Sequence, residues 1–147
     1  MTEKRWGLTL PLPGIPLAEM KPFVQLAEAE GYTDLWTGET SGPDGFTPLI
    51  LSAAWTERIR LGTGIGGGFT RGPPLLAQQT ASLTDASSGR FALSIGASSD
   101  RMAAGWNQIP FVKPLSKVEE TLAFLKVALA GERTDTGFKL ETAPSHE

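Results

Sequence analysis

The residues of this chain that could take part in chemistry begin with a run of glycines. Gly62, Gly64 and Gly67 have the spacing G-x-G-x-x-G, which is typical of a loop that cradles a dinucleotide pyrophosphate at a helix N-terminus. Here the run follows the third predicted strand, whereas the dinucleotide motif follows the first, and the next helix starts only at Pro73. Two other interpretations stay open: a flexible loop, or a backbone that comes close to a flat ligand, which only small residues allow.

Four charged residues lie near predicted strand ends. Glu39 follows the second predicted strand and is either an acceptor for a hydrogen bond from a cofactor or substrate, or a solvated loop acid. Asp100 and Arg101 follow the fourth predicted strand and are expected as a surface pair. Arg71 could contact a phosphate or a carboxylate, or be exposed. No pair of residues forms a recognisable nucleophile and base, so the catalytic residues are unknown and a bound cofactor would supply the chemistry.

The composition excludes several classes of protein. The 147 residues suit one domain, and we predict a single domain over residues 1–147. A net charge of −3 provides no basic field for nucleic acid or a membrane surface. The chain has no cysteine and a single histidine, His146, next to its C-terminus, so we expect no metal site. Because the first residues lack a long apolar run, we expect a cytoplasmic protein.

Strand and helix patterns alternate along the chain. Predicted strands start near residues 6, 34, 59 and 91, and the fourth covers residues 91–95. Apolar spacing and Pro or Gly boundaries predict helices over 16–30, 49–55, 73–87 and 115–130. Thr47 is the expected N-cap of the second helix, and Ser116 with Glu119 has capping-box spacing at the last. The alternation predicts an α/β protein with a parallel sheet, either open and doubly wound or part of a barrel. In both cases ligands bind at the carboxyl ends of the strands.

The stretch from Arg71 to Phe91 resembles a signature region of the luciferase-like oxidoreductases. The resemblance is clearest at the start of this stretch, Arg-Gly-Pro-Pro-Leu-Leu-Ala, and at its end, Ser-Ser-Gly-Arg-Phe. Residues 61–65 and 93–96 also resemble strands of that family. The resemblance implies a TIM-like (β/α)₈ barrel, of which this chain would be the N-terminal half with four βα units, truncated before the fifth strand. It also implies coenzyme F-420, a deazaflavin, as the cofactor, with FMN as the alternative.

The same resemblance implies which residues hold the cofactor. A cis peptide bond between Gly64 and Ile65 would lie behind the ring, Glu39 would lie near the ring, and Gly96 and Ala97 would lie at its edge. The chain departs from the family where Glu39 and Thr40 replace a common Asp-His pair, which puts a histidine-assisted mechanism in doubt. A second departure is the triple glycine 66–68 in place of bulkier residues, which predicts a looser loop.

These features leave three functional hypotheses. The first is a flavin- or deazaflavin-dependent oxidoreductase that performs hydride transfer or monooxygenation on a small organic substrate and is incomplete as this chain. The second is a non-catalytic half-barrel scaffold that self-associates, and the third is a small dinucleotide-binding module. Because a half-barrel would leave its first and fourth strands as open edges, we expect a homo-oligomer.

Overall fold

The computed structural model describes residues 4–141, so His146 lies outside the described residues. Strands and helices alternate along this part of the chain. The strands are β1 (Gly7–Leu10), β2 (Asp34–Thr37), β3 (Arg60–Thr63), β4 (Gly66–Gly67), β5 (Phe91–Ala92) and β6 (Ile95–Gly96). The α-helices are α1 (Lys21–Ala29), α2 (Thr47–Trp55), α3 (Pro73–Ala86) and α4 (Pro114–Leu129).

The described chain divides into two compact units. The first contains the described residues up to Gly66 together with Leu83–Ser94, and the second contains Gly67–Ser82 together with the described residues from Ile95 onward. Helix α3 therefore contributes residues to both units. The assignment of residues 1–147 to a single domain stays a prediction.

The first unit is built on a parallel sheet with the strand order β1-β2-β3-β5. Leu8, Leu35, Leu61 and Phe91 lie side by side in one row of this sheet, and the next row is formed by Thr9, Trp36, Gly62 and Ala92. Successive residues of a strand point to opposite faces, so these two rows belong to opposite faces. Helix α2 packs against β2 and β3, and the core includes the fully buried Leu35, Leu49 and Leu61. The predicted α/β fold with a parallel sheet is confirmed.

Two helix starts in the first unit differ from the prediction. The segment expected to open the first helix at residue 16 forms a separate 3-10 turn, Leu17–Glu19, and α1 begins at Lys21. Thr47 is not the N-cap of α2 but already lies in its first turn. The cap is supplied by Asp44, whose carboxylate accepts hydrogen bonds from the backbone N–H groups of Phe46 (2.8 Å) and Thr47 (3.1 Å). An acidic side chain just before the helix satisfies these otherwise unpaired donors.

The strand predicted over residues 91–95 is divided into β5 and β6. At the break, the Thr63 hydroxyl donates to the Ser94 carbonyl (2.7 Å) and accepts from the Ser94 N–H (2.8 Å). The Ser94 N–H thus bonds to a side chain instead of a neighbouring strand, whereas the Ser94 carbonyl also accepts from the Gly66 N–H of β4 (2.8 Å). The prediction of one continuous strand was wrong because apolar periodicity does not reveal a bond from the backbone to a distant hydroxyl.

The second unit contains α4, residues 73–82 of α3 and a π-helical segment, Arg101–Trp106, that was not predicted from the sequence. The ring pairs Phe69–Phe111 and Phe124–Phe138 have centroid separations of 4.9 and 5.6 Å. The predicted capping box is not formed: α4 begins at Pro114, no side chain caps it, and Ser116 already lies inside it. Proline fixes the helical φ angle at this earlier position.

Within residues 4–141, no helix has both the length and the apolar character that are needed to span a membrane.

Candidate functional site

The carboxyl ends of β2 and β3 bring three predicted site residues together. The carbonyl of Thr37, the last residue of β2, accepts from the Gly64 N–H (2.5 Å), and beyond both strands the Glu39 N–H donates to the Ile65 carbonyl (3.2 Å). The segments that follow β2 and β3 therefore stay hydrogen-bonded to each other after both strands have ended. Glu39, Gly64 and Ile65 are neighbours in the first unit, as expected from parallel strands whose carboxyl ends meet at one edge.

This edge presents backbone more than side chains. A Cβ atom on Gly38 would lie 3.3 Å from the Gly64 carbonyl oxygen, which is tighter than ordinary contact. The Gly64–Ile65 peptide bond is cis, as the family resemblance implies. The Ile65 side chain is 41% exposed, although isoleucine is usually buried. The edge thus offers an exposed apolar side chain beside two glycines, an arrangement that suits contact with the face of a flat ring.

The indole of Trp36 covers the sheet just below this edge. It lies between two glycines of the neighbouring strands: a Cβ on Gly7 would meet Trp36 Cδ1 at 3.0 Å, and one on Gly62 would overlap the other end of the ring. A Cβ on Gly64 would lie 3.7 Å from Trp36 Cε3. Trp36 is half-buried, and its place beside the site was not predicted from the sequence. The glycines on the two flanking strands are the signal that could have revealed it.

The Glu39 side chain is engaged with its own loop. The Glu39 carboxylate accepts a hydrogen bond from the Gly45 N–H (3.2 Å), and a Cβ on Gly45 would lie 3.0 Å from Glu39 Cγ. The Thr37 hydroxyl donates to the Gly45 carbonyl (2.5 Å) from a fully buried position. Neither Thr37 nor Gly45 was predicted from the sequence, because loop contacts of this kind carry no spacing signal.

Part of the glycine run forms a short strand, and the run does not form a dinucleotide-binding turn. Gly66 and Gly67 form β4, and the Gly66 N–H donates to the Ser94 carbonyl at 2.8 Å. Helix α3 begins only at Pro73, so no glycine of the run lies at a helix N-terminus. The interpretation as a pyrophosphate cradle at a helix N-terminus does not match this geometry.

The remaining predicted residues belong to the second unit. The Gly96 carbonyl accepts from the Gly68 N–H at 2.9 Å, and Ala97 follows it in a half-buried position. The Arg101 guanidinium lies 5.4 Å from the centroid of the Trp106 ring. Arg71 donates to Gln79 at 2.8 Å, so its side chain has a partner within its own unit. In the part of the chain that the structure describes, no group of His, Asp or Glu side chains could hold a metal ion.

Two carboxylates in the first unit are held by hydrogen bonds near the amino ends of the strands. Burial raises the pKa of Asp34, but hydrogen bonds from Arg5 and Thr33 and the charges of Arg5 and Arg60 leave that pKa below its usual value. Burial also raises the pKa of Glu28, but three backbone N–H donors lower it below its usual value. Asp34 is the first residue of β2, and the Glu28 carboxylate, on α1, binds the backbone just before β3. Their role is therefore in the fold and not at the carboxyl edge.

Comparisons with known proteins identify the family. The sequence model of the luciferase-like monooxygenase family matches residues 3–144. The chain belongs to this family. It is 32% identical over 127 residues to the 5,10-methylenetetrahydromethanopterin reductase of Methanolobus tindarius. That alignment covers 83% of this chain and 37% of the reductase, so the chain spans little more than a third of that relative.

Solved structures agree with this fold. The coenzyme F-420-dependent tetrahydromethanopterin reductase of Methanopyrus kandleri matches with a TM-score of 0.75 and 24% identity, over 97% of this chain and 46% of the reductase chain. The FMN-bound oxygenating constituent of 3,6-diketocamphane monooxygenase from Pseudomonas putida matches with a TM-score of 0.77 and 17% identity, over 92% and 43% of the two chains. The structural neighbours are TIM-barrel enzymes, and this chain corresponds to about half of each, which agrees with the predicted half-barrel fold.

Proposed function

We propose that this chain provides the ring-binding part of an oxidoreductase that uses coenzyme F-420, with FMN as the alternative cofactor. The reaction would be hydride transfer to or from a small organic substrate, or its monooxygenation. The observation that carries the proposal is membership of the luciferase-like family over residues 3–144. The names of two matched proteins, an F-420-dependent reductase and an FMN-bound monooxygenase, support the choice of cofactors.

The geometry of the first unit fits a flat, largely apolar ring. Glycines 38 and 64 leave backbone where side chains would otherwise stand, and Ile65 offers exposed apolar surface beside them. Apolar contact with a ring face and backbone hydrogen bonds to a ring edge are the usual means of holding such a cofactor. When bound, the ring would supply the redox chemistry, by accepting or donating a hydride or by activating O₂.

The residues of this chain would orient the ring and leave its chemistry to the cofactor. Ile65 would support one face, and Glu39 would lie next to the ring through its place beside Ile65. Gly96 and Ala97, in the second unit, stay our candidates for contacts with the ring edge. The catalytic residues are not assigned, and the substrate is left open as a small organic molecule.

Fluorescence titration of the purified chain tests the proposal. F-420 and FMN are added in separate experiments, and NADH is the control for a dinucleotide-binding module. Binding of F-420 or FMN with a Kd on the order of micromolar, and none of NADH, supports the function. No binding of F-420 or FMN by the chain as it exists contradicts it.

We also propose that the chain forms a homo-oligomer. Among the described strands, β1 and β5 form the edges of the four-stranded sheet in the first unit. Open edges expose unpaired backbone groups that can bond to another copy. Size-exclusion chromatography with light scattering tests this, and a monomer that persists at high concentration would overturn it.

A further inference from the structure

Gly45 is held on both sides of its backbone by side chains from the end of β2. Its N–H donates to the Glu39 carboxylate at 3.2 Å, and its carbonyl accepts from the Thr37 hydroxyl at 2.5 Å. Gly45 is buried, whereas residues 40–44, which lie between Glu39 and Gly45 in the sequence, are exposed. A buried backbone N–H or carbonyl without a partner is costly, so these two bonds fix where the loop can return to the fold.

The close contact between Gly45 and the Glu39 side chain also depends on Gly45 having no side chain. A Cβ atom there would lie 3.0 Å from Glu39 Cγ, which is tighter than most Cβ contacts in proteins, so the Glu39 side chain would have to shift. One residue further on, the buried Phe46 begins the turn into α2, which Asp44 caps. The position of Gly45 therefore sets both the path of the exposed loop and the start of the helix.

Glu39 connects this loop to the strand end that carries Ile65. Its backbone N–H donates to the Ile65 carbonyl at 3.2 Å, while its side chain accepts from Gly45. A continuous set of hydrogen bonds therefore runs from Ile65 through Glu39 to Gly45. Displacement of the loop would be transmitted to the edge where the ring is proposed to bind.

We propose that Glu39 and Thr37 are positioning residues, which hold the loop 38–46 in place at the carboxyl edge of the sheet through Gly45. Glu39 would then act on a ligand through the loop and not through its own negative charge. The inference deepens the proposed function and rests on it for the effect on cofactor binding, but the loop contacts themselves can be tested without any cofactor.

Amide hydrogen exchange at Gly45, measured by NMR on the full chain, tests the loop contacts directly. Glu39→Ala removes the acceptor, and we expect Gly45 exchange to become about tenfold faster or more. Glu39→Gln keeps an acceptor oxygen at the same place, so its Gly45 exchange should stay close to that of the wild type. Glu19→Ala, which changes an exposed glutamate of the same unit, is the control. Unchanged exchange in Glu39→Ala would overturn the proposal.

Cofactor titration of the same variants separates positioning from a direct charge contact. If Glu39 acts through Gly45, Glu39→Ala weakens binding of F-420 or FMN about tenfold and Glu39→Gln restores it. If Glu39 contacts the ligand through its charge, Glu39→Gln binds as poorly as Glu39→Ala although its Gly45 exchange is normal, and the proposal is wrong. The two variants should keep a wild-type circular dichroism spectrum.

A double-mutant cycle gives an independent measure. Thr37→Val keeps the shape of the side chain and removes only the hydroxyl that binds the Gly45 carbonyl. Because both side chains hold one residue, Thr37→Val and Glu39→Ala should be non-additive in their effect on Gly45 exchange, whereas additive effects would contradict a shared role. If the wild type binds neither cofactor, the proposed function fails, but the exchange experiments still decide whether Glu39 and Thr37 position the loop.

Discussion

The indole of Trp36 lies directly on the backbone of Gly62, on the adjacent strand of the parallel sheet. A Cβ atom on Gly62 would stand 2.3 Å from Trp36 Cζ3, and all three of its nearest neighbours would be atoms of this ring. The two residues are register partners of β2 and β3. A large aromatic side chain and a glycine thus share one row of the sheet, because the ring occupies the space that a side chain on β3 would fill.

We therefore predict that Gly62→Ala destabilises the protein by about 2–3 kcal/mol, as expected when a side chain is forced into filled space. Urea denaturation measures the change. Gly42→Ala is the matched control, since a Cβ there would meet no atom within 4 Å and should change stability by less than about 0.5 kcal/mol. If Trp36 is the cause, Trp36→Leu should reduce the cost of Gly62→Ala, whereas an equal cost in both backgrounds would contradict this explanation.

The sequence was sufficient for the order of the main strands and the four α-helices, because that order depends on local patterns. Apolar runs located β1, β2 and β3, and α3 ends just before Gly89, whose φ angle is 81°, as a glycine boundary predicts. Details that depend on distant partners were not predictable. The break after β5 is the clearest example, because it depends on the hydroxyl of Thr63, about 30 residues away in the sequence.

The candidate site was predictable to a similar degree. Parallel strands place their carboxyl ends together, so Glu39 and Ile65 could be expected as neighbours, and they are hydrogen-bonded through their backbones. The direction of the Glu39 side chain could not be foreseen. It depends on the conformation of the loop that returns to Gly45, and nothing in the spacing of the residues specifies that conformation.

The second prediction concerns acid stability. Glu28 accepts hydrogen bonds from the backbone N–H groups of Glu57, Arg58 and Ile59, at 2.7–3.1 Å to Oε1. Its pKa is lowered on folding, so the stability it contributes is present above the ordinary value of 4.5 and is lost as the pH falls through the folded-state pKa. Glu28→Gln should cost about 1–2 kcal/mol at neutral pH.

Urea denaturation of the wild type and Glu28→Gln at several pH values tests whether the stabilisation by Glu28 is lost as the pH falls. The difference in free energy of unfolding should be largest at neutral pH and should shrink below pH 4.5, where the wild-type carboxylate takes up a proton. The contribution of Asp34, whose pKa is also lowered, is common to both proteins and cancels in the difference. A difference that stays constant with pH would show that the charge of Glu28 contributes no stability.

The third prediction concerns Arg90, whose guanidinium binds the end of α2 and the start of β3. Its Nη1 donates to the Ile59 carbonyl (2.7 Å) and its Nη2 to the Thr56 carbonyl (2.9 Å). Further bonds reach the carbonyls of Ala53 and Ser87. A lysine has one ammonium group and cannot reach these acceptors together, so Arg90→Lys should cost about 2–4 kcal/mol.

Thermal and urea denaturation measure the effect of Arg90→Lys. The control is Arg133→Lys, because the Arg133 guanidinium is exposed and donates to the Gly137 carbonyl at 2.9 Å. Its replacement should change stability by less than about 0.5 kcal/mol. Equal, small effects of the two substitutions would mean that water replaces the Arg90 hydrogen bonds to these carbonyls without loss of stability.

The fourth prediction separates binding from stability at the carboxyl edge. Ile65 and Ile50 are isoleucines of the first unit with almost equal exposure, 41% and 42%, but Ile65 follows β3 whereas Ile50 lies on α2. Because both are partly exposed, each substitution to alanine should cost only about 1 kcal/mol of stability. If Ile65 supports the ring, Ile65→Ala should raise the Kd for F-420 or FMN about fivefold, whereas Ile50→Ala should leave it unchanged. Fluorescence titration of both variants decides the question. Equal Kd values would remove Ile65 from the site, and they would leave the backbone around Gly64 as the part of this edge that remains to hold a ring.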